Sequence, residues 1–171
     1  MLTKELYIMK VTIKFAKVRP EAIIPSKRDE DAGFDIYPCF DEFECVIKAH
    51  QTKLIPTGIA AAVDSGYYLQ VEERGSTGSI GMKKSAGVID SGYRGEIFIA
   101  ITNTRDQDLI ISKELNEVKE YNGCIYYPSR KAIAQLILHE VIPASIQTIT
   151  YDELKAIPSQ RGDGHLGSSG K

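Results

Sequence analysis

At 171 residues and 43% hydrophobic content the chain is long enough for one domain with a sizeable core, and no apolar run is long enough to span a bilayer. A formal net charge of −2 argues against a protein that coats nucleic acid through phosphate contacts, so any phosphate binding has to be local. Cys39, Cys45 and Cys124 are odd in number and lack CxxC spacing, which points to reduced structural thiols rather than a disulfide framework or a zinc site. The first residues show no basic-then-apolar signal pattern, a cytoplasmic location is expected, and Met9 is as good a start as Met1.

From Val11 the alternation Val11, Ile13, Phe15 against Thr12, Lys14, Ala16 predicts a half-buried strand, and Pro20 and Pro25 bracket a loop. The acidic stretch Asp29-Glu30-Asp31 runs through Ala32 and Gly33 into a short strand, Phe34-Asp35-Ile36-Tyr37. Short apolar runs at 45–47, 53–55, 59–63 and 67–71 are cut by turn residues every ten or so positions. That spacing predicts an all-β barrel or sandwich, with no helical stripe before residue 143.

The stretch Glu73-Arg74-Gly75-Ser76-Thr77-Gly78-Ser79-Ile80-Gly81 gathers three glycines, three hydroxyls and an arginine. Backbone N–H groups and small donors around one cation suit a phosphate oxygen, although the order is not that of a P-loop; a solvent loop is the alternative. In Gly87-Val88-Ile89-Asp90-Ser91-Gly92-Tyr93-Arg94-Gly95-Glu96-Ile97 two apolar runs flank a turn, which predicts a hairpin presenting Asp90 and Tyr93. Its alternative is a turn with a packed tyrosine. Residues 103–131 read as a long connection, with Cys124-Ile125-Tyr126-Tyr127 as an extra edge strand after Asn122-Gly123. Fold elaboration and a protein-docking surface are both open for it. The run 132–138 predicts a strand buried on both faces, in which Gln135 needs polar partners. One helical turn is expected at 151–155, and the tail from Gln160 repeats the arginine, glycines and serines of the residue 74 loop, as an arm that closes over phosphate.

Five stretches in this order resemble the motifs of the trimeric dUTPase family: Asp31-Ala32-Gly33-Phe34-Asp35-Ile36, Arg74-Gly75-Ser76-Thr77-Gly78, the segment 87–96, Ile133-Ala134-Gln135-Leu136-Ile137, and 161–170. The resemblance implies a jelly-roll-like β-barrel of the dUTPase type (a β-clip), a homotrimer with shared sites, and hydrolysis of dUTP to dUMP and pyrophosphate with Mg²⁺ on the triphosphate. It implies a catalytic barrel over 10–143 and a mobile C-terminal arm over 144–171 that closes over a neighbouring site. By position, Asp90 looks like the carboxylate that activates water, and Tyr93 like the ring under the deoxyribose. The backbone of Gly87, Val88 and Ile89 looks like the reader of uracil. Arg74 and Ser76, with Gly75 and Thr77, would hold phosphate oxygens. Gln135 would support catalysis, and Asp35 would reach the metal through water. Arg161, Leu166, Gly167, Ser168 and Ser169 would bring the arm onto base and distal phosphates.

Three departures stand out. Glu73-Arg74-Gly75 replaces the usual Pro-Arg-Ser, so Ser76 or Thr77 is expected to take over as the hydroxyl. Ala132 stands where an arginine is common, with Arg130 and Lys131 beside it. Leu166, after His165, replaces a phenylalanine, which removes a stacking contribution of roughly 1–3 kcal/mol per base. The competing readings are a dCTP deaminase of the same fold, and a phage-type dUTPase whose 103–131 segment docks a regulatory protein. Neither a nucleic-acid polymer nor a membrane is an expected partner.

Overall fold

The computed structural model describes residues 11–164. By internal contacts the chain divides into Met1–Val141 and Ile142–Lys171. Among the described residues no helix is long and apolar enough to cross a membrane.

The first unit is almost wholly β, as expected. Its strands are β1 (Lys14–Lys17), β2 (Gly33–Ile36), β3 (Glu44–Ile47), β4 (Thr52–Pro56), β5 (Ile59–Ala62), β6 (Tyr67–Glu72), β7 (Met82–Lys84) and β8 (Val88–Asp90). They continue with β9 (Phe98–Asn103), β10 (Leu109–Ser112), β11 (Lys119–Tyr121), β12 (Cys124–Pro128) and β13 (Ala134–Glu140). Four sheets result, in the orders β1-β5, β11-β12-β10-β3, β2-β13-β6-β8 and β4-β9-β7. All pairings are antiparallel except β10 with β12. One core joins them: Ile36, Ile55, Leu69, Ile99, Leu109 and Leu136 are fully buried and belong to a single cluster. Truncating one such side chain to alanine costs about 2–5 kcal/mol.

Two elements differ from their sequence-based expectation. The hairpin at 87–97 is absent: β8 pairs with β6, whereas β9 pairs with β4 and β7. The second leg is captured elsewhere, because Ile97 N donates to Ile59 O at 2.8 Å, Thr57 Oγ1 donates to Ile97 O at 2.6 Å, and Gly58 N donates to Glu96 Oε1 at 2.7 Å. Residues 90–93 therefore form a corner between two sheets, closed by Tyr93 N to Asp90 O at 3.0 Å.

The long connection at 103–131 is itself sheet. Buried Asn103 donates from Nδ2 to Ile47 O and Gln107 O, at 3.1 and 2.7 Å, and so fixes the turn into β10, a strand hidden inside the connection. Asn122 and Gly123 have φ of 49° and 72°, the left-handed pair a tight hairpin requires, and join β11 to β12. The predicted edge strand β12 lies between β10 and β11, and its Ile125 and Tyr127 are buried. Likewise 132–138 is not equally buried on both faces, since Gln135 and Ile137 on one face are half-buried while Ala134 and Leu136 on the other are buried.

The second unit contains α2 (Tyr151–Ala156), a little longer than the predicted turn. Thr150 caps it: Glu153 N donates to Thr150 Oγ1 at 3.2 Å and Thr150 N donates to Glu153 Oε2 at 2.7 Å. The predicted arm residues Leu166, Gly167, Ser168 and Ser169 lie outside the described residues.

Candidate active site

Side chains alternate between the faces of a strand, and residues directly paired across strands share a face. In the sheet β2-β13-β6-β8 one face carries Ile36, Ala134, Leu136, Leu69 and Val71, all buried. The opposite face holds the polar residues in three rows. Asp35 pairs with Gln135 and Gln135 with Glu72; then come Gly33, Ile137, Gln70 and Val88; then His139, Tyr68 and Asp90. Residues of three of the five motifs, from Gly33 to Gln135 in the chain, are thus gathered on one surface by register alone.

At one end of that face the chain leaves β6 through Glu73 and Arg74 and enters α1 (Gly75–Gly78), one helical turn where an open loop was expected. Thr77 is fully buried, its Oγ1 accepting from Arg74 N and donating to Arg74 O, both at 3.1 Å. The expectation of Thr77 at the substrate is corrected on that ground: its hydroxyl closes the turn, and Ser76 is the hydroxyl on the cleft wall. Nothing lies within 4 Å of where a Cβ on Gly75 would sit, so packing does not demand that glycine.

Arg74 grips Asp35 with two bonds, Nε to Oδ1 at 2.8 Å and Nη2 to Oδ2 at 3.1 Å. Its Nη1 lies 3.4 Å from both Ala132 O and Ser76 Oγ. Ala132 O also accepts from the Tyr127 hydroxyl at 2.7 Å. Burial pushes the Tyr127 phenol above its ordinary range, against the opposing pull of Arg74, so it serves as a proton donor. Gln135 Nε2 donates to Glu73 O at 2.8 Å, and a Cβ on Gly33 would strike the Gln135 amide; the glycine makes room for the glutamine. Burial works to raise the Glu73 carboxyl, but Lys83 at 3.1 Å and the Lys84 amide at 3.1 Å prevail and hold it below the usual range. Asp35, Arg74, Gly75, Ser76 and Gln135 line a polar cleft of about 780 Å³, whose other wall is the 26–33 loop.

At the far end Asp90 is exposed, and its carboxylate makes no hydrogen bond or ion pair among the described residues. Tyr93 lines the same pocket, of about 230 Å³. Its ring lies against Gly95, where a Cβ would meet the hydroxyl at 2.5 Å, and the hydroxyl donates to Glu96 O at 2.8 Å. The ring is therefore held at a set angle with 44% of the residue exposed, which is what a sugar platform needs. Gly87 O accepts from Val71 N at 2.7 Å, and a side chain there would collide with the Gln70 amide.

The two ends do not meet within one chain. Asp90 is paired with Tyr68, six positions before Arg74, and at about 3.3 Å per strand residue that is about 20 Å. The pockets share no lining residue. Arg161, in the second unit, donates from Nε to Gly164 O at 3.2 Å.

Among the described residues no group of three or more His, Cys, Asp or Glu side chains is placed to hold a metal ion. Asp35, expected near the metal, has both oxygens engaged by Arg74. The donor set therefore does not fit an ion caged by protein alone, and a divalent ion here would draw its ligands from phosphate and water.

Sequence reasoning missed several residues of the cleft. Lys27, Arg28 and Glu30 line it, and no motif in the sequence singles them out. Tyr127 and the Glu73 carbonyl are invisible locally, because their partners lie 5 and 62 positions away and only the fold brings the latter close.

The family model described as dUTPase matches residues 19–115. A deoxyuridine 5'-triphosphate nucleotidohydrolase of Nautilia profundicola is 34% identical over 163 residues, covering 93% of this chain and 99% of that protein. Among solved structures, a dUTPase of Staphylococcus bacteriophage 80alpha with dUPNHPP superposes with a TM-score of 0.72 at 23% identity, covering 94% of this chain and 99% of the other. A mutant dUTPase of phage phi11 of S. aureus, in which a structural Mg(II) ion is coordinated, gives 0.63 at 19% identity over 81% and 96%. Both structural likenesses speak to the fold, and the sequence relatives favour hydrolysis over the deaminase alternative. The corner bearing Asp90 and Tyr93, the Arg74–Asp35 clamp and the sequence relationship converge on one conclusion: the chain belongs to the dUTPase family.

Proposed function

We propose that this chain hydrolyses dUTP to dUMP and pyrophosphate, in sites completed between copies of a homotrimer. The observation that carries the reading is the polar sheet face with an unpartnered carboxylate at one end and a clamped arginine at the other. A reacting α-phosphate has to lie within a few ångströms of its water and of the groups holding its oxygens. One chain separates these by about 20 Å at strand spacing, so Asp90 of one copy has to serve Arg74 and Ser76 of another.

Asp90 accepts the proton of the attacking water as the oxygen joins the α-phosphorus and the bond to the leaving pyrophosphate breaks. Its freedom from other partners leaves its oxygens open to that water. Tyr93, held by its bond to Glu96 O, underlies the deoxyribose, and a 2′-hydroxyl against that ring would clash, so ribonucleotides are rejected. The backbone at 87–89 reads the uracil edge. Arg74 and Ser76 steady phosphate oxygens, with Asp35, Ala132 O and Tyr127 holding the guanidinium in place before substrate arrives. Gln135, tied through Nε2 to Glu73 O, lines the cleft beside Gly33 and supports the phosphate end. A magnesium ion entering with the triphosphate would neutralise its charge. Arg161 and the residues beyond it act as the arm over the distal phosphates.

Pyrophosphate release measured across dUTP, dTTP, dCTP and UTP tests this. Release from dUTP alone is expected. Ammonia released from dCTP would replace the reading with the deaminase, and equal cleavage of UTP would remove Tyr93 as the sugar selector.

A further inference from the structure

On the side of Arg74 away from the main cleft lies a second one of about 350 Å³, bounded by Tyr37, Ser76, Val118, Arg130 and Lys131. Its lining carries three cations, Arg74, Arg130 and Lys131, against one carboxylate, Asp35, which is already bound to Arg74. Arg130 and Lys131 are exposed and make no ion pair or side-chain hydrogen bond among the described residues. They do not sit on a loose loop. The β12–β13 turn that presents them is fixed by Ser129 N to Ser112 O at 2.8 Å and Lys131 N to Pro128 O at 3.1 Å, and the next residue, Ala132, is buried.

Two unpaired cations on a rigid turn, facing hydroxyls across a cleft in a protein of net charge −2, make a local site for a multiply charged anion. Because Arg74 and Ser76 line both clefts, an anion here is continuous with a phosphate held in the main one. We propose that Arg130 and Lys131 form a second phosphate subsite, which takes the condensed phosphate at the far end of the nucleotide, either as the tail of the bound triphosphate or as free pyrophosphate. This rests on the nucleotide reading above. Val118, from the segment between β10 and β11, also lines this cleft.

The test is calorimetric titration of the full chain with inorganic pyrophosphate, dUMP and a non-hydrolysable dUTP analogue. The double variant Arg130→Ala/Lys131→Ala should lose at least about 10-fold in pyrophosphate affinity, about 1.4 kcal/mol, while dUMP binds as before. The charge-preserving swap Arg130→Lys/Lys131→Arg should retain pyrophosphate binding. An equal loss for the analogue assigns the subsite to the tail of the bound nucleotide, and a loss confined to pyrophosphate assigns it to the free product. Unchanged pyrophosphate affinity in the double variant, no pyrophosphate binding to the parent, or an equal loss for dUMP overturns the proposal. Failure of the dUTPase reading shows separately, as no pyrophosphate release from dUTP by the parent chain.

Discussion

Around Arg74 nearly every polar atom is committed: two bonds to Asp35, contacts to Ala132 O and Ser76, and a buried tyrosine behind them. Around Asp90, at the other end of the same sheet face, the carboxylate stands exposed and unpartnered. The difference matches the roles proposed for the two ends. A group that stabilises developing charge works best when its orientation is settled beforehand, whereas a group that takes a proton from water must leave its lone pairs available. Since strand register holds the ends about 20 Å apart, the proposed function makes each end half of a site completed by a second copy.

The harshest test of this contrast removes the free carboxylate. Asp90→Asn should keep dUTP binding but lower turnover by about 10²–10⁴-fold, measured as pyrophosphate release; a rate within a few-fold of the parent would dismiss it as the base. The shared-site idea is then broken or sharpened by mixing. Co-refolding inactive Asp90→Asn with inactive Arg74→Ala should restore a sizeable fraction of activity, because some interfaces pair two intact halves. No recovery would mean that both ends serve one chain.

At the preorganised end the effects are smaller. Arg74→Lys keeps the charge but loses the two-bond grip on Asp35, and a fall of about 10- to 100-fold in kcat is expected from a loss of about 1.5–3 kcal/mol in charged hydrogen bonds. Tyr127→Phe withdraws one donor from Ala132 O; about 1–3 kcal/mol of stability should go, seen as a fall of several degrees in Tm. Glu73 gives the mildest signal. Its carboxyl is held below the ordinary range in the folded chain, so its stabilising contribution is present above the unfolded pKa and is lost as pH falls through the folded one. Parent and Glu73→Gln should therefore differ in denaturation midpoint at neutral pH and converge as pH drops below about 4.3. A gap that persists in acid would point to packing instead of charge.

Deletion of 112–127, as a test of a docking role for the 103–131 segment, would remove β11 and most of β12, including Tyr127 and its hold on Ala132. A fold that loses this sheet loses the support of Arg74 as well.

Residue order alone was enough for the all-β class and for the family, because those depend on residue type and short-range turn signals; the roles it suggests for Asp90, Tyr93, Arg74 and Gln135 enter the proposed function. It misread the 87–97 segment as a hairpin, since two apolar runs around a turn look alike whether they pair with each other or part toward different sheets. It could not choose between Ser76 and Thr77 either; burial inside one helical turn settles that, through contacts that composition does not express. What tertiary structure alone decided is register: which rows face outward together, how far apart the acid and the cation lie, and that Arg130 and Lys131 open onto the far side of Arg74. Register comes from long-range pairing of strands some sixty positions apart, as between Gln135 and Glu72, and no local pattern encodes it.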